Sequence, residues 1–362
     1  MYYITLGHSP ELSNLELSAL GYTPQSVSPN ISKIEGDSFL DQASSLGGIT
    51  RVIEPLLSTN PAQLQSDLLT HLTHETAKNL AISNYSNTPI EAQSLRELKS
   101  QLKRPVRFLS FETSGHSLVA LRKQHVAEYS LIEDSGQLLW GKTVWVQDAD
   151  DWSFRDRRRP YQDIKRGMMP PKLSRILVNL ASQGRVGTLL DPYCGTGTLL
   201  MEAMLTDVSV VGSDNDPKAV EGAEKNLLWL IDKYQIKNKK YELFCSDATH
   251  IDQKLTKVDF IATEPYLGPL LEARALPSFD KLKNIAKGLD KLYRGSLNSW
   301  HKLLDSGSRV VIVIPEIDAY GRSFKTLDID DLKRLGYNYV ASVAYRKPQA
   351  VVVRNITILE RI

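Results

Sequence analysis
The chain has 362 residues, 42% of them apolar, and a formal net charge of +2. That length suits two or three domains with their own cores, and the near-neutral balance excludes a globally basic nucleic-acid-binding protein. Two cysteines exclude a disulfide framework and favour reduced thiols in a cytoplasmic setting.

The N-terminal Met1-Tyr2-Tyr3-Ile4-Thr5-Leu6 reads as a strand, without the basic start and long apolar core of a secretory signal. No apolar run is long enough for a membrane span. Residues 1–60 mix short apolar runs with Ser, Gly, Asn and Pro. Leu12, Leu15, Leu17 and Leu20 predict a first helix, closed by Gly21. Residues 61–80 carry helical apolar spacing, 81–85 read as a strand and 95–102 as a helix. Strands are expected at 105–111 and 117–121, and a strand pair turned at Gly141 over 137–147. Residues 1–150 are therefore expected to be an α+β region.

Composition shifts at Asp148-Ala149-Asp150-Asp151, and 151–170 read as a basic connector. Between 155 and 175, Arg155, Arg157, Arg158, Arg159, Lys165, Arg166, Lys172 and Arg175 face only Asp156 and Asp163, a local charge of +6. Trp152 and Tyr161 lie within or beside the run. Cations neutralise phosphates and aromatics stack on bases, so the first seven of these cations are expected to contact RNA. The plainer alternative is a solvated linker.

Residues 171–362 read as a further domain. A helix starts at Pro170-Pro171, with Leu173, Ile176, Leu177 and Leu180 on one face. A buried strand, 186–190, ends at Asp191-Pro192-Tyr193-Cys194-Gly195-Thr196-Gly197-Thr198, and a helix follows at 199–205. Further strands at 208–212, 241–245 and 258–262 end at Asp214-Asn215-Asp216, Asp247-Ala248 and Thr263-Glu264-Pro265-Tyr266. Helices are expected at 218–231, 279–304 and 327–335, the last stopped by Gly336. A fifth strand, 309–314, ends at Pro315, and 339–345 with 351–359 close the chain as an antiparallel pair. Strands alternating with helices imply an α/β fold with a parallel sheet.

In such sheets the carboxyl ends of the strands form one crevice. Three of them carry Asp191, Asp214 and Asp247. Gly195 and Gly197 permit a sharp turn and close backbone approach. The turn has no lysine after its second glycine and no third glycine, so it is neither a phosphate loop nor a dinucleotide fingerprint. A cofactor without pyrophosphate but with a charged amino-acid end suits it better. Asp216-Pro217 reads as a helix cap.

The string D-P-Y-C-G-T-G-T-L-L-M-E-A resembles the first motif of S-adenosylmethionine (SAM)-dependent RNA methylases, D-P-x-C-G-[ST]-G-T. Upstream, Arg155-Asp156, Arg159-Pro160, Gly167, Pro171-Lys172-Leu173 and Asn179-Leu180-Ala181 resemble a pattern of the THUMP-containing tRNA guanine-N2 methyltransferases of the guanosine-10 type. The match departs at Ser174, where alanine is usual. The resemblance covers roughly 150–362; before that, 108–121 and 144–158 are similar to the end of a THUMP module and its connector. It implies a class I, Rossmann-like seven-stranded methyltransferase domain preceded by an α+β THUMP-like RNA-binding region. It further implies SAM as cofactor, with Asp214 and Asn215 at the ribose and Asp247 and Ala248 at the adenine edge. Asp191, Pro192, Gly195, Thr196, Gly197 and Thr198 would face the methionine moiety. The implied partner is tRNA, and a small activating subunit stays open.

Amino-methylating enzymes carry [DNS]-P-P-[YFW] after strand four. This chain has Thr263-Glu264-Pro265-Tyr266-Leu267. Read without a gap, Glu264 replaces the acid and Leu267 the aromatic; with one residue deleted, Tyr266 is the aromatic. The expected mechanism has Glu264 and the Pro265 carbonyl accepting hydrogen bonds from an exocyclic amine while Tyr266 stacks on a flipped base. Seven scattered histidines give no metal-ligand spacing. The alternatives are a ribosomal-RNA guanine-N2 or DNA adenine-N6 amino-methyltransferase, or a non-catalytic RNA-binding protein that keeps the SAM fold.

Overall fold
The computed structural model describes residues 1–36, 38–109, 116–163, 168–206, 208–237, 240–346 and 350–362. The chain divides into two units, Met1–Phe154 and Arg155–Ile362.

The first unit is built on β1 (Tyr2–Leu6), α1 (Pro10–Ala19), β2 (Gln25–Ser28), β3 (Ile31–Ile34), α2 (Phe39–Gln42), β4 (Ile49–Thr59), α3 (Leu64–His74), β5 (Asn79–Tyr85), α4 (Ala92–Gln101), β6 (Arg107–Phe108), α5 (Leu118–Lys123), β7 (Val126–Asp134) and β8 (Gln137–Val146). Its sheet runs β2-β3-β1-β4-β8-β7-β5-β6. β5 lies parallel to β6 and β7. A buried ion pair sits inside it: Arg51 Nε lies 2.9 Å from Glu128 Oε2, and the Ser83 and Thr143 hydroxyls donate to the same carboxylate at 2.6 and 2.8 Å.

Two expectations fail here. Residues 118–121 belong to helix α5, not a strand, and Ser117 is its N-cap. Leu, Ala, Arg and Lys outweigh the single β-branched Val119 in helix propensity, and Arg122 and Lys123 complement the helix dipole in the last turn. Gly141 is not a turn either, because β8 passes straight through it. The turn lies at Ser135-Gly136, both at positive φ, and pairs β8 with β7, a strand not foreseen. Gly141 is small because its backbone presses on β4. A Cβ there would stand 2.5 Å from Ile53 Cγ2 and 3.0 Å from the Glu54 carbonyl oxygen. The strand expected at 105–111 shrinks to β6, with 110–115 outside the described residues.

A short helix, α6 (Ala149–Arg157), spans the division between the units. The second unit continues with α7 (Pro171–Ser182), β9 (Gly187–Asp191), α8 (Thr198–Met204), β10 (Val208–Asp214), α9 (Pro217–Tyr234), β11 (Tyr241–Cys245), β12 (Phe260–Thr263), α10 (Phe279–His301), β13 (Arg309–Ala319), β14 (Arg322–Lys325), β15 (Tyr337–Tyr345) and β16 (Val352–Arg361). The sheet order is β11-β10-β9-β12-β13-β16-β15, with β14 paired to β13. β9 to β13 pair in parallel, and β16 runs antiparallel to β13 and β15. This is the Rossmann-like α/β sheet expected from the sequence.

Strands covered on both faces need continuous apolar runs, and Val310 to Val313 are fully buried. On one face α10 contributes Leu289, Tyr293, Leu297 and Trp300 to a core shared with Leu190, Ile261 and Ile312. Asp216 caps α9 as expected, accepting from the Lys218 N–H at 2.9 Å. β13 does not stop at Pro315: its parallel neighbour β12 ends opposite Ile312, so a residue without an N–H breaks no parallel ladder there. Residues 327–335 form only a 3-10 turn, Ile329–Asp331, because Asp328, Asp330 and Asp331 favour capping over helix interior.

Gly141→Ala should lower the stability of the first unit by about 1–3 kcal/mol, the cost of overpacking a tight contact. Urea unfolding would read this as a lower midpoint; an unchanged midpoint would contradict the close approach of β8 to β4.

Candidate active site
β9 delivers Asp191 to the end of the sheet, where it is buried. Its Oδ1 accepts the Thr263 hydroxyl at 2.6 Å and the Tyr193 N–H at 3.2 Å. Thr263 is the last residue of β12, so one carboxylate ties the loop after strand one to the loop after strand four. Burial pushes the Asp191 carboxyl up to about 7; the charges of Asp214 and Glu264 add to this, while its two hydrogen bonds oppose it.

The turn itself is held at every step. Cys194 N–H donates to the Ser213 carbonyl at 2.8 Å, and Gly195 N–H to Asp214 Oδ2 at 3.1 Å. Gly195 and Gly197 have φ of 50° and 81°. A Cβ on Gly197 would lie 3.1 Å from Ala223, whereas one on Gly195 would meet nothing within 4 Å. The turn therefore backs onto α9 and opens on its Gly195 side, a floor over which a ligand chain can pass. Pro192 is buried and accepts from the Ser213 hydroxyl at 3.5 Å. The Thr196 carbonyl accepts from Asn226 Nδ2 at 2.8 Å, and Thr198 Oγ1 accepts from Arg159.

Asp214 Oδ1 takes the Asp216 N–H at 3.0 Å, and Asn215 beside it is exposed. Asp247 is also exposed. Its Oδ1 takes the Thr249 N–H at 2.8 Å and hydroxyl at 2.9 Å, and these bonds hold its carboxyl below the usual range. Ala248 is buried, with its carbonyl fixed by Trp300 Nε1 at 3.1 Å. On the next loop Glu264 is part-buried, Pro265 buried and Tyr266 56% exposed. The Tyr293 hydroxyl donates to the Tyr266 carbonyl at 2.7 Å and fixes the loop from below. Arg354 Nε lies 2.6 Å from Glu264 Oε1.

Residues 157–331 match the model of the UPF0020 family, the RMKL-like methyltransferase domain. The matched segment lies within the second unit. The tRNA (guanine(10)-N2)-dimethyltransferase of Methanothermobacter thermautotrophicus is 37% identical over 162 residues, 44% of this chain and 42% of that protein. Its Pyrococcus abyssi counterpart is 28% identical over 227 residues, 61% and 60% of the two chains. The matches thus span less than two thirds of these relatives' length. Among solved structures, TrmN from Thermus thermophilus superposes with a TM-score of 0.56 at 16% identity, covering 100% of this chain and 99% of that one. A possible methylase from Clostridium difficile gives 0.53 at 12%, covering 98% and 97%. At these identities the likeness is one of fold.

The structure of the second unit corrects the reading of the basic run. Arg155 and Arg159 are buried rather than open to an RNA. Arg155 Nε and Arg175 Nη2 both bind the fully buried Glu202, at 2.7 and 2.9 Å, and Arg159 holds Thr198. Glu202 lies on α8, so these cations brace the helix behind the glycine turn. Tyr161 exchanges two 2.9 Å bonds with Asn226, and its ring lies where a side chain on Gly222 would be. Arg157 and Arg158 remain exposed. Lys172 is partly buried, and burial lowers its pKa. Lys165 and Arg166 lie outside the described residues. Asn226, Tyr293 and Arg354 were not foreseen. An asparagine in an amphipathic helix, a tyrosine in a long one and an arginine in an edge hairpin carry no spacing signal.

An acid whose folded pKa exceeds its unfolded one favours folding while protonated. Asp191 therefore contributes most below its unfolded pKa of about 4 and loses that contribution as pH rises to about 7. Asp191→Asn keeps the acceptor and cannot ionise. Its stability should fall less than that of wild type across this window in urea melts at stepped pH; parallel falls would contradict the buried, proton-holding carboxyl.

Proposed function
We propose that the protein transfers a methyl group from SAM to the exocyclic N2 amine of a guanosine in tRNA, at a position of the guanosine-10 type. The observation that carries this reading is the 2.6 Å bond between Asp191 and Thr263. It sets the glycine turn, the cofactor side, against Glu264-Pro265-Tyr266, the substrate side. The relatives named above support the choice of base and RNA.

SAM, when bound, supplies an electrophilic methyl on sulfonium sulfur. Asp214 and Asn215 would hold its ribose, Asp247 and Ala248 its adenine edge, and Asp191, Pro192 and the turn from Gly195 to Thr198 its methionine end. Open space over Gly195 and the exposed carboxylate of Asp247 fit this assignment. Glu264 and the Pro265 carbonyl would accept hydrogen bonds from the guanine amine and aim its lone pair at the methyl carbon. Bound SAM would supply the methyl to the amine nitrogen with sulfur keeping the bonding pair, and Glu264 would accept the surplus proton from that nitrogen. Positioning does most of the work. Exposed Tyr266 would stack on the base after it leaves its own stack. Arg157 and Arg158 would contact the RNA backbone, and the first unit would by itself supply a THUMP-like RNA-binding region. No helix among the described residues is long and apolar enough to cross a membrane. Two unpaired thiols suit a cytoplasmic enzyme, and a small activating subunit is a partner to test by co-purification.

With labelled SAM and unmodified tRNA, Glu264→Ala should cut transfer by about 100-fold or more, the scale of a lost acid–base group, with SAM affinity retained. Loss of SAM binding as well would contradict its placement on the substrate side. Tyr266→Ala should lower kcat/KM for tRNA by roughly 5- to 100-fold, the scale of one base-stacking contact; an unchanged value would remove Tyr266 from base recognition.

A further inference from the structure
Glu264 does not stand alone at the end of β12. Its carboxylate meets Arg354, which reaches it from β16, 90 positions along the chain, with Nε 2.6 Å from Oε1. Both side chains are mostly screened from solvent, at 27% exposure for the arginine and 17% for the glutamate. Arg354 stands on firm backbone: it pairs with Pro315 of β13 on one side and Tyr345 of β15 on the other. We propose that Arg354 is a positioning residue for methyl transfer, the group that lets a glutamate serve where a shorter acid or amide is usual.

Three physical arguments support this inference, which rests on the amino-methylation reading above. A glutamate has one more rotatable bond than an aspartate, and a free carboxylate on it would sample several positions. A charge-assisted bond from a planar guanidinium selects one of them. The bond engages Oε1 and leaves Oε2 for the amine hydrogen. Third, Glu264 lies in an acidic neighbourhood: its charge and that of Asp214 both act on Asp191. A cation facing Glu264 offsets that repulsion without entering the crevice as a second acceptor. Lysine would keep the charge but lose the planar, directional donor.

The test is steady-state methyl transfer to unmodified tRNA by the full chain, with SAM affinity and melting temperature measured on every variant. Arg354→Gln should lower kcat by roughly tenfold to a hundredfold, the scale of a misplacement near 1 Å. KM for tRNA and SAM affinity should stay within about threefold. Arg354→Lys should fall between Arg354→Gln and wild type, and ethylguanidinium should restore part of the activity of Arg354→Ala. In a Glu264→Asp background, whose carboxylate is one methylene further from Arg354, Arg354→Gln should cost less than about threefold, because coupled groups are not additive. An unchanged kcat, the same loss in both backgrounds, or a loss matched by weaker SAM binding and a lower melting temperature would each overturn the inference while wild type remains active. A wild type that binds SAM and methylates no tRNA would overturn the functional reading, and with it any part for Arg354 in transfer.

Discussion
The second unit depends on one buried hydrogen bond. Asp191 and Thr263 come from strands adjacent in the sheet but 72 positions apart in sequence, and their side chains meet at 2.6 Å. A carboxylate taken out of water is costly unless its oxygens find donors. Here one oxygen takes both a hydroxyl and the Tyr193 N–H, and the group still holds its proton up to about pH 7. The return on that cost is geometric. The bond holds the carboxyl ends of strands one and four at one separation, and those two ends carry the proposed cofactor and substrate contacts.

Behind the turn, a second set of buried charges supplies rigidity. Arg155 and Arg175 share the two oxygens of Glu202. Removing one partner from such a group typically costs about 3–5 kcal/mol. Asn226 links the Thr196 carbonyl to the Tyr161 backbone. The segment before the domain is thus part of the wall around the glycine turn. Its cations divide by position: Arg155 and Arg159 point inward, whereas Arg157 and Arg158 face solvent. Net charge along the run could not separate these roles, because neighbouring residues of one short segment serve two surfaces.

The inner strands β10, β12 and β13 were legible because burial on both faces demands mainly apolar residues. The glycine turn was legible because Gly197, at φ 81° with its backbone against Ala223, has no room for a side chain. Other features depended on partners far away in sequence. Gly141 signals a turn when read alone, but it is the close approach of β4 that requires it. Pro315 signals a strand end, yet the neighbour that would have needed its N–H has already stopped. Arg354 is one polar residue in an alternating hairpin, and its role exists only because β16 lies within reach of the loop that carries Glu264. Long-range pairing set these positions, and local propensity carries no record of it.

The most direct measurement is the identity of the nucleoside that acquires the methyl group. Unmodified tRNA would be incubated with the protein and SAM, digested to nucleosides and resolved by mass spectrometry. The account predicts N2-methylguanosine, with N2,N2-dimethylguanosine as its further product. A methyl group on adenine N6, or on a ring carbon or ribose instead of an exocyclic amine, would contradict the assignment of Glu264 and Pro265 to a guanine amine.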